Sequence, residues 1–217
     1  MLETIIFAEP ENADARLAEL QLTRQVLIDS AVQANMYLAR MTPHHPSLYS
    51  YGVMTGETVA ALRDFLVPHG WEVRNEGNYE LVFNPDLNMS IAVASGNEAT
   101  GDPQQIPSNK SEKGPRTAKA VKDNQTADLF PETMPTAPEG LVATDTWILL
   151  HHRCGNGIRL ELSRPNGFDT TERFVTGWSE RILLGTSSLD NDSMPMPMPM
   201  PMPELPEVDI VVTRKAA

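Results

Sequence analysis

The sequence predicts an α+β fold: two helices packed on a mostly antiparallel sheet, a long polar internal loop, and a disordered Met-Pro-rich C-terminal tail. Three observations predict it. Apolar residues recur every three or four positions up to Gly70 and then at strand-like spacing. The strand-like segments follow one another through short turns, as in an antiparallel meander. Between two sets of them lies a tract, 96–140, whose only bulky apolar residues are Ile106, Val121, Leu129, Phe130 and Met134.

Residues 2–8 read as a short strand. Pro10 and Asn12 open a helix to about Met41, with Leu17, Leu20, Leu27, Ala31, Ala34 and Leu38 on one stripe that Arg24 interrupts. Pro43 and Pro46 end it by removing amide donors and disfavouring helical geometry in the residue before them. A second helix is expected from Thr55, as N-cap, to His69, with Val59, Leu62, Phe65 and Leu66 inward and Gly70 as the stop.

Trp71 to Arg74 and Tyr79 to Phe83 flank Asn-Glu-Gly-Asn, a turn composition, and Asn84-Pro85-Asp86 turns again before Met89 to Ser95. After the polar tract, Trp147 to Arg153 and Ile158 to Ser163 flank Cys154-Gly-Asn-Gly157 as a hairpin. Ile158, Leu160 and Leu162 alternate with Arg159, Glu161 and Ser163, which predicts one face in water. Trp178 to Leu184 reads as the last strand. The expected organisation is one domain, 1–184, with the polar loop inserted, and a low-complexity linker and tail, 185–217. Five Met-Pro pairs from Met194 to Pro203 favour polyproline II, a spacer of about 30 Å.

The 217 residues carry a net charge of −12. That argues against coating of nucleic acid, which needs a broad basic field. Scattered acids leave mimicry of nucleic-acid charge as an alternative. The single cysteine, Cys154, excludes an internal disulfide and fits a reducing compartment. With no basic, apolar leader and no apolar run of membrane-spanning length, the expected location is cytoplasmic, away from membranes.

Two constellations in the polar tract stand out. Lys110, Lys113, Arg116, Lys119 and Lys122 recur every three residues beside a single acid, Glu112. That run carries +4, and the remaining 12 bases and 28 acids carry −16. Gly114-Pro115 puts proline at a helix start, so Arg116, Lys119 and Lys122 would form a slanting basic stripe suited to phosphate or to an acidic partner. The second is Gln125-Thr-Ala-Asp-Leu-Phe130, followed by Pro131. It resembles the short motif by which bacterial replication and repair proteins dock on the sliding clamp: Gln, an aliphatic residue, Ser or Asp, then Leu-Phe. Asp128, Leu129 and Phe130 match, whereas Gln125 stands one residue early. The resemblance implies Leu129 and Phe130 as anchors in an apolar pocket, with Gln125 and Asp128 setting register. The same two anchors pinning the tract back onto the fold is the other reading.

The histidines do not form a metal site by spacing. His151 and His152, adjacent on a strand, point to opposite faces, and neither they nor His44-His45 have an acid at a ligand spacing. Glu98, Asp102 and a histidine would be needed for a metal-dependent hydrolase, but no Glu-x-Lys follows them. Nucleotide-binding and hydrolase loops are absent, and no cofactor or metal is expected. Met202-Pro-Glu-Leu-Pro-Glu-Val208 resembles the opening of formamidopyrimidine-type DNA glycosylases, but Pro203 is internal and its amide nitrogen is not nucleophilic.

GNEATGDP, KGPRTAKAV and LFPE together are similar to uncharacterised accessory proteins of bacterial phages and integrative elements, over roughly residues 40–184. The resulting expectation is a non-enzymatic accessory protein that binds a protein partner, such as a sliding clamp, through the 96–140 tract. The alternatives are nucleic-acid or nucleotide contact through residues 110–122, a metal-dependent hydrolase, or an acidic nucleic-acid mimic.

Overall fold

The computed structural model describes residues 3–46, 49–129, 145–155 and 157–188, without the side chains of Tyr51 and Leu129. Phe130, the tract from there to residue 144, and the tail beyond Ser188 lie outside the described residues. So do the expectations that fall on them.

The chain is α+β, with four α-helices and a seven-stranded mixed sheet among the described residues. β1 is Ile5–Phe7. The expected long helix is two helices, α1 (Pro10–Glu19) and α2 (Arg24–Ala39). The break is local. Gln21 takes a left-handed φ of 55°, and the amides of Leu20 and Leu22 both bond the Leu17 carbonyl. Thr23 then caps α2 by accepting from the Val26 amide at 3.3 Å. The apolar stripe runs through the break because both helices face one core. Arg24 ties the junction to the sheet, reaching Asp14 at 2.7 Å and the Leu183 carbonyl at 3.2 Å.

α3 runs Tyr49–Leu66 and starts a turn and a half earlier than Thr55, because nothing between Pro46 and Thr55 stops it. Thr55 spends its hydroxyl on His151 instead of on a cap. A 3₁₀ turn, Val67–His69, ends at Gly70, whose φ of 90° is the left-handed stop that glycine supplies.

β2 (Glu72–Asn75), β3 (Glu80–Asn84) and β4 (Met89–Ser95) form the expected antiparallel meander. Next comes α4 (Pro115–Leu129), which begins at the proline that Gly114-Pro115 marked as a helix start and lies inside the tract otherwise expected to be a polar loop. β5 (Asp145–Cys154), β6 (Gly157–Asp169) and β7 (Phe174–Ser188) complete the sheet, in the order β1-β7-β6-β5-β4-β3-β2. Most pairings are antiparallel, while β4 with β5 and β1 with β7 are parallel. The parallel β4–β5 pair is joined through α4, as a crossover requires.

One face of the sheet buries Val82, Ile91, Trp147, Leu149, Leu160 and Leu162 under α1, α2 and α3. The other buries Ala92, Ile148, Leu150, Val175 and Trp178, beneath the 96–113 segment and α4. Glu161 and Ser163, expected in water, are fully buried on that second face. The covering segment, invisible to strand alternation, removes the solvent. No described helix is long and apolar enough to cross a membrane.

α4 closes a gap in the sheet. Pro165 has no amide to donate, and the β6–β7 register shifts around it. The Asn124 side chain fills the place: it accepts from the Thr146 amide at 3.0 Å and donates to the Thr146 and Pro165 carbonyls at 2.9 Å each. Beside it, Arg164 bridges Asp145 at 2.6 Å and Asp128 at 2.8 Å.

Candidate functional site

The 96–113 segment is not displayed; it is stitched to the sheet along its length. The Gly96 amide bonds the His151 carbonyl and the Lys110 amide bonds the Ser95 carbonyl. Ser108 donates to the Val175 carbonyl, Asn109 accepts from the Val175 amide, and the Trp178 indole donates to the Pro107 carbonyl. Gly101, at φ +76°, turns its amide toward Glu161 at 2.8 Å. The segment ends where Lys113 and Arg173 exchange bonds: the Lys113 amide with the Arg173 carbonyl, and the Arg173 Nε with the Lys113 carbonyl.

This stitching leaves a cavity of about 760 Å³ at the carboxyl end of β4, where the chain departs for the crossover helix. Its walls are α3 (Thr55, Val59, Arg63), the β2–β3 turn with Tyr79, the sheet residues Ala92, Ala94 and Ile148, and the start of α4 from Glu112 to Thr117. The volume suits a small-molecule ligand. Ligands of open α/β sheets favour this place, outside the carboxyl ends of strands and at a helix start.

Three cations border it. Arg63 spends one guanidinium nitrogen on Asn75, Glu80 and the Arg74 and Leu81 carbonyls, while its buried Nε has no acceptor. Arg116 stands 3.6 Å from Glu76. Glu112, also on the wall, is taken by Arg173 at 2.9 Å. Lys113 has no carboxylate within ion-pair distance among the described residues, and burial pulls its pKa below the usual lysine range. The amides of Gly114 and Arg116 carry no backbone bond among the described residues. The buried Tyr79 hydroxyl has no well-formed hydrogen bond, although the Thr117 side chain lies close. Burial raises its pKa, Thr117 opposes the rise and Glu76 adds to it.

A second cavity, of about 300 Å³, is lined by His151 with Leu38, Ser95, Lys110, His152 and Arg153. His151 Nε2 lies 3.2 Å from the Thr55 hydroxyl and 3.5 Å from that of Ser95. Burial first, then the charges of Lys113 and His152, push His151 down to about 4, so its ring is neutral at pH 7. His152 turns the other way, its Nδ1 3.2 Å from the Gly96 carbonyl. Among the described residues no three His, Cys, Asp or Glu side chains gather to hold a metal ion. Asp102 bonds the Gln104 amide and the Gln105 side chain, and the Glu98 carbonyl receives Arg159.

The basic run therefore divides. Lys113 and Arg116 face the larger cavity and Lys110 the smaller, while Lys119 pairs with Asp123 on α4 and Lys122 is exposed. Gln125 and Asp128 lie on α4, not on an extended strand: Gln125 donates to the Asn166 carbonyl at 2.6 Å, and Asp128 holds Arg164. Both line a third cavity of about 500 Å³ with Ile6, Ile106 and Trp178. Arg63, Tyr79 and Thr117 gave no local signal; only folding brings Arg63 and Tyr79 to the cavity that Lys113 and Thr117 line. In comparison with known proteins, the chain matches no family model, no curated protein and no solved structure.

Proposed function

We propose that this protein binds a small phosphate-bearing ligand, of nucleotide size, in the cavity between α3 and the start of α4. The observation that carries the reading is Lys113: a partly buried ammonium on the wall of a roomy cavity, with no carboxylate at ion-pair distance among the described residues, in a chain of net charge −12. A buried charge left unpaired is costly, and an anion entering beside it would remove that cost. Arg116 and the two unbonded amides add attraction at the same end. The acidic remainder of the chain would repel a long polyanion, which favours a small ligand over an extended nucleic acid.

Melting in the presence of nucleoside mono- and diphosphates tests this. Ligand at a hundredfold its Kd should add about 2.7 kcal/mol of stability. Lys113→Met should abolish the shift and Lys119→Met should leave it. No shift with millimolar nucleotides or inorganic phosphate sinks the proposal.

A second reading has its own support. Ile106 is 72% exposed beside the apolar cavity that Gln125 and Asp128 border, which suits an apolar segment of a partner such as a sliding clamp. It keeps the role of a phage or integrative-element accessory protein. Capture of clamp that is undiminished by Ala at both Leu129 and Phe130 removes the clamp version.

A further inference from the structure

Resting on the ligand reading above, we propose that the Lys113 amine is the reactive group of this cavity and condenses with a phosphate-bearing aldehyde or ketone to form an imine. Among the described residues Lys113 has no carboxylate at ion-pair distance, since the cavity's acids, Glu80 and Glu112, pair with Arg63 and Arg173, and the apolar Val59, Ala92 and Ile148 share the walls. Desolvation favours the neutral amine, the nucleophilic form. The Tyr79 side chain closes the same wall, its hydroxyl buried beside Thr117. Arg116 and the Gly114 and Arg116 amides supply the phosphate end.

The step balances without a further reactant. The amine lone pair forms a bond to the carbonyl carbon, and the carbonyl oxygen takes a proton from solvent. The nitrogen sheds a proton, and water leaves to give the imine. Added cyanoborohydride delivers hydride to the imine carbon and solvent a proton to nitrogen, fixing a secondary amine.

The test uses the full chain, pyridoxal 5′-phosphate as phosphate-bearing aldehyde and pyridoxal as its phosphate-free counterpart, with cyanoborohydride trapping and peptide mass spectrometry. The other lysines of the same chain are internal controls, so no variant has to fold. Lys113 should be modified at least tenfold faster than Lys119 or Lys122, and pyridoxal should lose most of that preference. The preference should extend to lower pH than labelling of the exposed lysines. Even labelling of all lysines, alongside a nucleotide-dependent melting shift, overturns the amine chemistry and leaves phosphate binding standing. Even labelling with no such shift overturns both.

Discussion

Arg181 lies against Glu161 with its Nη2 2.6 Å from Oε2, both side chains all but sealed from water at 2% and 0% exposure. Neither has an idle oxygen or a stray charge. Glu161 also accepts from the Gly101 amide and the Ser163 hydroxyl, and Arg181 also donates to the Asp102 and Gln105 carbonyls. The pair anchors the 97–109 segment, and with it the approach to Lys113. Glu161→Gln leaves a buried guanidinium without its counter-charge, and should cost about 3–5 kcal/mol. For a chain of this size that is a fall in Tm of roughly 10 °C. Replacing both by Leu and Met should cost less than Glu161→Gln alone. A Tm change under a degree or two in Glu161→Gln would refute the anchoring role.

Asn124 supplies the hydrogen bonds that Pro165 cannot. Asn124→Ala removes the side chain that bonds the Thr146 amide and the Thr146 and Pro165 carbonyls in the interior. Each unsatisfied group costs about 1–3 kcal/mol, so a total near 3 kcal/mol is expected by urea titration, with relief where water enters the gap. Hydrogen exchange at Thr146 should accelerate; unchanged protection there contradicts the assignment.

His151 should make stability depend on pH. Its folded pKa, about 4, lies below the ordinary 6.5, so between these values the unfolded chain binds more protons than the folded one. Stability from this residue is therefore full above pH 6.5 and declines as pH falls toward 4, by roughly 3 kcal/mol. His151→Gln should flatten that part of the profile relative to the native chain. Parallel profiles for the two proteins would exclude a neutral, buried His151.

Gly96 sits where the chain leaves β4. A Cβ there would stand 2.1 Å from the Thr100 hydroxyl oxygen and 3.4 Å from the Leu150 Cβ. Thr100 is buried and its hydroxyl is held by the Asn97 carbonyl, so it cannot swing aside at low cost. Gly96→Ala should therefore destabilise by about 1–3 kcal/mol, and Thr100→Ala in the same chain should recover part of that loss. Strictly additive losses in the double variant would mean that the two do not clash.

How much was legible follows from the range of each interaction. The β2–β3–β4 meander and the β5–β6 hairpin were readable because period-two alternation and turn residues are local. The α1–α2 break was marked only by Thr23 and Arg24, against an apolar stripe that continued through it. The start of α4 was legible in Gly114-Pro115, but its packing was hidden because its inward groups are short or polar, Thr117, Ala120, Val121 and Asn124, and polar residues look solvated until their partners are known. Glu161 was misplaced for the same reason: its partners, Arg181 and Gly101, lie 20 and 60 positions away.

By itself the sequence determined the α+β class, the strand segments and the unusual concentration of positive charge between Lys110 and Lys122. Periodicity and composition act over a few residues, so they survive in one dimension. Tertiary structure alone decided that, among the described residues, Lys113 has no carboxylate at ion-pair distance while Arg116 meets Glu76 and Lys119 meets Asp123, and that Tyr79 and Arg63 line the same hollow. Desolvation and pairing are properties of space around a group, and the crossover from β4 to β5 is what creates that space.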